Sequence, residues 1–195
     1  VAIKRVTHNG LRLEISSPLA FDHLGETRYF SDGYSVDFRA NVALISSNVL
    51  IQGEPTFSNL DQHGGHIMLH SRRHRSIADQ SKGESLTARI ENVEMKFMGQ
   101  FGRLGRYPVH FHHSKTGAVG QVTDCSVHRS YYRAITIHAT FNLTVSSNVA
   151  FDITGHALYL ESGVEEYNYV TYNLVAFVHV IDGPVVLTGS NMDNL

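Results

Sequence analysis

Hydrophobic and polar side chains alternate along short stretches of this chain: Leu11-Arg12-Leu13-Glu14-Ile15, Ser35-Val36-Asp37-Phe38-Arg39-Ala40, Val93-Glu94-Met95-Lys96-Phe97 and Ala134-Ile135-Thr136-Ile137-His138. A period of two, carried by β-branched and aromatic residues, predicts many short strands, and helical periodicity is almost absent. Gly, Asn, Ser and Asp between the stretches supply the turns. The pattern reads as all-β.

The stretches also repeat. Asp124-Cys125-Ser126-Val127 aligns with Ser147-Asn148-Val149-Ala150 and with Tyr172-Asn173-Leu174-Val175, at offsets of 23 and 25 residues. Ala134 to His138 aligns with Ala157-Leu158-Tyr159-Leu160-Glu161 at 23, and Pro108-Val109-His110-Phe111-His112 precedes it by 26. Glu91-Asn92-Val93-Glu94 and Ser47-Asn48-Val49-Leu50 fit the first half of the same unit. A unit of this length built from short strands predicts a parallel β-helix, each rung burying its inward side chains on the next. An antiparallel sandwich is the alternative, but the hairpin dipeptide Asn-Gly occurs once, at Asn9-Gly10. In this register Ile135 stacks over Leu158 and Ile137 over Leu160, and all four are expected to be buried. Insertions widen the spacing from His70 to His112, and because they lead towards the rung carrying His112 the segments 71–87 and 99–106 are expected on the same side of the helix as its histidines.

Alternation then gives the outer face a chemistry. With Val109, Phe111, Ile135, Ile137, Leu158 and Leu160 inward, the residues between them face out. His70, His112, His138 and Glu161 fall in one column, and Met68, His110, Thr136 and Tyr159 in the next. Parallel rungs lie about 4.8 Å apart, and imidazole and carboxylate are ligands of first-row metals. The expected metal set is His112, His138 and Glu161, with His110 or His70 joining or supporting them and a zinc-like divalent ion as cofactor. His112, His138 and Glu161 are equally candidates for general acid–base catalysis, and the bland reading is a ladder of polar side chains. Asn92, Cys125, Asn148 and Asn173 occupy one inward position, which reads as an asparagine ladder with Cys125 substituted.

Composition narrows the functions. The chain has 195 residues, 16 Lys and Arg against 18 Asp and Glu, 42% hydrophobic residues and one cysteine. That suffices for a core. A net charge of −2 gives no electrostatic case for nucleic acid, and a single Cys125 allows no internal disulfide. No apolar run is long enough to span a bilayer. The ends, Val1 and a polar tail from Gly189 to Leu195, read as those of a fragment. Arg72-Arg73-His74-Arg75, and Arg103 and Arg106 beside Gly-rich turns, are candidates for holding the carboxylates of an acidic polysaccharide, and Tyr159 is a further glycan-binding candidate. Asn142-Leu143-Thr144 is a glycosylation sequon in a secretory setting.

Several strings together resemble a known family. They are Gly64-Gly65-His66, the run from Gly99-Gln100-Phe101-Gly102-Arg103-Leu104-Gly105-Arg106-Tyr107-Pro108 through His112, Arg133 to His138, and Gly155-His156-Ala157 through Glu161. They are similar to the fibrocystin-like family, in which a G8 domain precedes a parallel β-helix. Leu19 to Glu26 followed by Asn41 to Gly53 looks like the end of a G8 domain running into the helix. The resemblance implies a G8-like region over 1–45 and a right-handed β-helix over 46–195. It further implies a secreted or surface location within a larger glycoprotein, and partners among acidic polysaccharides, other surface glycoproteins and the rest of its own chain. Some members of the family are linked to hyaluronan binding or depolymerisation, others to cilia and surface coats. His66, His110, His112, His138, His156 and Glu161 match the family's histidine-rich face. Two functions follow as expectations: a structural or glycan-interacting module, and a metal-assisted depolymerase of a polysaccharide such as hyaluronan.

Overall fold

The computed structural model describes residues 3–71, 86–115 and 118–182. The chain divides into two compact units, residues 1–42 and 43–195. In the first, β1 (Ile3–Thr7) pairs antiparallel with β2 (Arg12–Ile15), and β3 (Thr27–Tyr29) with β4 (Ser35–Asp37). His8, Asn9 and Gly10 turn the first hairpin at positive φ, so the single Asn-Gly dipeptide does mark a hairpin.

The second unit is a stack of rungs, each of three strands. The first rung holds β5 (Val49–Gln52), β6 (Ile67–His70) and β7 (Leu86–Glu91), and the second β8 (Val93–Lys96), β9 (Val109–Lys115) and β10 (Ala118–Thr123). The third holds β11 (Ser126–Ser130), β12 (Ile135–Thr140) and β13 (Leu143–Ser146). The fourth holds β14 (Val149–Thr154), β15 (Leu158–Leu160) and β16 (Tyr169–Thr171), and β17 (Leu174–His179) follows. Corresponding strands pair in parallel into three sheets, ordered β17-β14-β11-β8-β5, β15-β12-β9-β6 and β16-β13-β10-β7. This is a parallel β-helix. Between β5 and β6 lies a short helix, α1 (Pro55–Asp61), which the alternation does not foretell. Its start is nonetheless written locally: Pro55 opens the first turn, and the Glu54 carboxylate accepts from the Phe57 N–H at 2.6 Å.

Inward residues of all three sheets form one apolar column. Val109, Phe111, Val122, Val127, Leu143 and Ile153 are completely buried, each contributing about 1.5–3 kcal/mol from its removal from water. Ile135 pairs with Leu158 and Ile137 with Leu160, as the offsets predict. Ile135 and Ile137 are buried, but Leu158 is half-buried and Leu160 is 49% exposed. Among the described residues β15 is the last strand of its sheet, so no described strand stacks on the far side of Leu160.

An amide ladder runs up one corner. Asn148 Oδ1 accepts from the Cys125 N–H at 3.0 Å, and its Nδ2 donates to the Val122 carbonyl at 2.8 Å. Asn173 repeats both bonds one rung on, to Asn148 N–H and the Val145 carbonyl. The residues before each, Asp124, Ser147 and Tyr172, take left-handed φ to make the corner. Asn92 belongs with these corner residues and not in the ladder. Ser126 pairs with Glu94, which sets Val93 against Cys125. Asn148→Leu should strand the Cys125 N–H and the Val122 carbonyl at about 1–3 kcal/mol each, read as a lower urea midpoint with an unchanged slope.

Candidate metal centre

The outward positions of β9 and β12 carry the chemistry. Register places His138 beside His112 and Thr136 beside His110, with β6 bringing His70 to His112 and Met68 to His110. Glu161, just beyond β15, donates its N–H to the Ile137 carbonyl at 2.9 Å. The face is not the open surface the alternation implies: His110 is 1% exposed, His138 6% and Thr136 fully buried. The cover is the turn 99–106, laid over this face. Gly99 N–H donates to Gly65 O and Gly64 N–H to Gly99 O, both at 2.7 Å, and the Gly105 carbonyl takes the His110 Nδ1 proton at 3.0 Å. The Tyr107 ring, also fully buried, closes against His110 at 4.9 Å. Of the other insertion, residues 72–85 lie outside the described residues, and with them the Arg72-Arg73-His74-Arg75 run.

Beneath the turn three side chains converge, one from each of three successive rungs. Glu161 Oε2 stands 3.5 Å from His110 Nε2 and 3.5 Å from His138 Nδ1. These are ion-pair distances without hydrogen-bond geometry, and all three atoms are buried with no hydrogen-bond partner. Backbone carbonyls only accept, so the Gly105 contact puts the His110 proton on Nδ1 and the lone pair on Nε2. The other carboxylate oxygen is well held: Oε1 accepts from the Tyr107 hydroxyl at 3.0 Å and from Arg133 Nη1 at 3.3 Å. Arg133 Nη1 also donates to the Tyr107 oxygen at 2.8 Å, and its guanidinium stacks 4.0 Å from the Tyr159 ring. The ligand atoms of His110, His138 and Glu161 lie within 4.8 Å of one another. That is one aimed, lone-pair-bearing oxygen facing two imidazoles.

The expected ligands therefore divide. Glu161 and His138 meet as the column predicts, but the third partner is His110, from the adjoining column. His112 turns to His113 and His138, whose ligand atoms also lie within 4.8 Å of one another. His70 Nδ1 donates to the His112 carbonyl at 2.9 Å and touches His112 Nδ1 at 3.4 Å. His66 Nε2 accepts from Arg106 at 2.7 Å, so Arg106 has a partner within the chain, whereas Arg103 is exposed. Tyr159 lies between Arg133 and His156, whose ring is 4.5 Å away. Sequence reasoning overlooked Tyr107, Arg133 and His113. The first two sit inside recognised strings, where a hydroxyl and a cation beside a histidine-rich rung were available as supporting groups.

Electrostatics favour neutral imidazoles and an ionised carboxylate. Burial lowers His138, and His110 adds to this, against the raising effect of Glu161. His66 is lowered by burial, by Arg106 and by His110, and His156 by burial and Arg133. Burial raises Glu161, but His110, His138 and Tyr107 outweigh it and hold the carboxyl below its usual range. A histidine with a depressed folded pKa stabilises fully above its ordinary value of 6.5 and loses that contribution as pH falls below it. Glu161 stabilises above the ordinary carboxylate range and is lost as pH falls through its lower folded value. Both signs agree. The melting temperature of the metal-free chain should fall on acidification, beginning just under pH 6.5, and His138→Gln should flatten the first part of that slope.

Comparison with known proteins fits this rung structure. The family model of the CEMIP beta-helix matches residues 62–193. The chain belongs to the CEMIP beta-helix family. Protein rliB of Dictyostelium discoideum is 39% identical over 175 residues, and fibrocystin-L of Mus musculus 34% over 208, each covering 90% of this chain. A G8 domain-containing protein of Dictyostelium discoideum is 38% identical over 175 residues. The chain spans 13% of the length of the first and third of these relatives and 5% of fibrocystin-L, so it corresponds to one β-helix module of such fibrocystin-like proteins. No described helix is long and apolar enough to cross a membrane.

Proposed function

We propose that this chain is a structural β-helix module of a large fibrocystin-like glycoprotein in the secretory pathway or at the cell surface. In this reading His110, His138 and Glu161 hold a divalent, zinc-like ion that fastens three successive rungs together, and residues 1–45 are the end of a G8-like region. The observation that carries the metal is the pair of lone-pair atoms facing each other in the interior, His110 Nε2 and Glu161 Oε2, at 3.5 Å. Left alone each orphaned atom costs about 1–3 kcal/mol. A tetrahedral ion with ligands at about 2.0–2.2 Å sets neighbouring ligand atoms about 3.4 Å apart, which matches both distances to Glu161 Oε2. The support behind the ligands is of the kind metal sites use: a carbonyl fixing one imidazole, a hydroxyl and a guanidinium fixing the carboxylate.

Enclosure favours a fastening ion over a catalytic one: three protein ligands leave a fourth position for water, but with His110 1% and His138 6% exposed an extended polymer does not reach it. Metal analysis of the chain, purified without a metal-affinity tag, should find tightly held metal that Glu161→Gln loses. At a hundredfold excess over Kd the ion adds about 2.7 kcal/mol, so chelation should lower the melting temperature by roughly 5–10 °C at the usual 2–4 °C per kcal/mol. A melting temperature indifferent to metal and chelator would remove the fastening role. Hyaluronan incubated with the loaded chain should keep its length. Shortening would instead favour the depolymerase, with Arg103 as the exposed cation available to a glycan carboxylate.

A further inference from the structure

A second set of imidazoles stands beside this triad. The rings of His112 and His113 lie 4.6 Å apart, His113 and His138 4.3 Å, and His112 and His138 5.1 Å, all edge to face. One ring nitrogen from each lies within 4.8 Å of the other two. The arrangement depends on an irregularity. His138 pairs with His112 but Thr140 with Lys115, so β9 carries one residue more than β12 across that step. His113 takes the extra place at φ 51, a left-handed conformation that a histidine seldom adopts. Strict alternation would send His112 and His113 to opposite faces. The bulge instead brings both imidazoles to His138, and residues held in sparsely populated backbone regions concentrate at functional sites.

We propose that His112, His113 and His138 form a second divalent-metal position sharing His138 with the first, so that the chain binds two ions. The inference rests on the metal reading of the triad only through His138. Because Nδ1 of His138 faces Glu161, the second ion uses Nε2, and the ring gives up its N–H proton to solvent as that ion enters. Three imidazoles satisfy three positions of a tetrahedral ion and leave the fourth for water or an anionic oxygen. The two sites differ in character. His110 is enclosed, whereas His112 and His113 are only half-buried, so this is the position an external carboxylate could reach.

Equilibrium dialysis of the full chain against zinc(II) decides the matter. Two ions per chain are expected at saturation, falling to one in His113→Asn and to one in Glu161→Gln, with His138→Gln lowering the count in both positions. Asparagine tolerates the left-handed backbone, so His113→Asn removes the imidazole while keeping the bulge, and circular dichroism checks the fold. Saturation of the unaltered chain at one ion, or two ions retained in folded His113→Asn, overturns the second position. A Glu161→Gln chain that keeps both ions while His113→Asn loses one would instead overturn the triad reading and leave this one standing.

Discussion

Ile137→Asp should yield no folded β-helix. Ile137 is 3% exposed, on an inner strand of its sheet, between Phe111 on β9 and Leu160 on β15. Rungs in a solenoid support only their neighbours, so a defect in the middle of the stack removes contacts on both sides at once. The aspartate would lose about 2–5 kcal/mol of apolar packing, as in truncation of a large aliphatic side chain. It would also bury a carboxylate among hydrocarbon, costing several kcal/mol more. The sum is of the order of the whole stability of a domain this size. Circular dichroism should show loss of the cooperative β transition, and Ile137→Val, which keeps shape and hydrophobicity, should cost only about 0.5–1.5 kcal/mol. A soluble Ile137→Asp chain with a sharp transition near the parent's would overturn this account of the core.

The same column shows what a sequence can and cannot disclose. Ile135 over Leu158 and Ile137 over Leu160 follow from a repeat of 23 residues, because stacked rungs must present equivalent residues at equivalent places. His112 beside His138 follows from the offset of 26, and His70 beside His112 from the same alternation on either side of a widened spacing. Depth did not follow. Alternation says which side of a strand a residue faces, but only the turn 99–106 says that His110 is enclosed, and its bonds to Gly64 and Gly65 join residues some 35 positions apart. Nor was the diagonal pairing of Glu161 with His110 legible. Tyr107 and Arg133 pull the carboxylate across to the neighbouring column, and both lie outside the alternating stretches that defined the columns. His113 was hidden by the bulge, since a period of two assigns it inward and a single extra residue reverses that. The slip at Asn92 has a related cause: a corner residue and a ladder residue are adjacent, and asparagine suits both.

Gly64→Ala should disable the covering turn and, with it, the metal centre. A Cβ at Gly64 would stand 1.8 Å from the Phe97 carbonyl oxygen, 2.8 Å from its carbon and 3.0 Å from Met98 Cα. All three are backbone atoms, so no side chain can swing away, and Phe97 is already held at a left-handed φ of 55. The requirement at Gly64 is therefore close approach between two backbone segments and not conformational freedom. Overpacking usually costs about 1–3 kcal/mol and occasionally more. A clash of this depth belongs at or above the top of that range, which lowers the melting temperature by at least roughly 6–12 °C. The displaced segment runs through Gly99 into the turn whose Gly105 carbonyl fixes the His110 proton. Once that bond is lost, His110 no longer presents a fixed lone pair to Glu161, and metal retention should fall with stability. Gly65→Ala is the control, because its Cβ would meet only the Met98 side chain, at 3.2 and 3.4 Å. Methionine has three rotatable bonds and a soft sulfur with which to give way. Thermal melts and metal content should thus separate two neighbouring glycines sharply, and equal behaviour of the two variants would show that the turn does not hold the site.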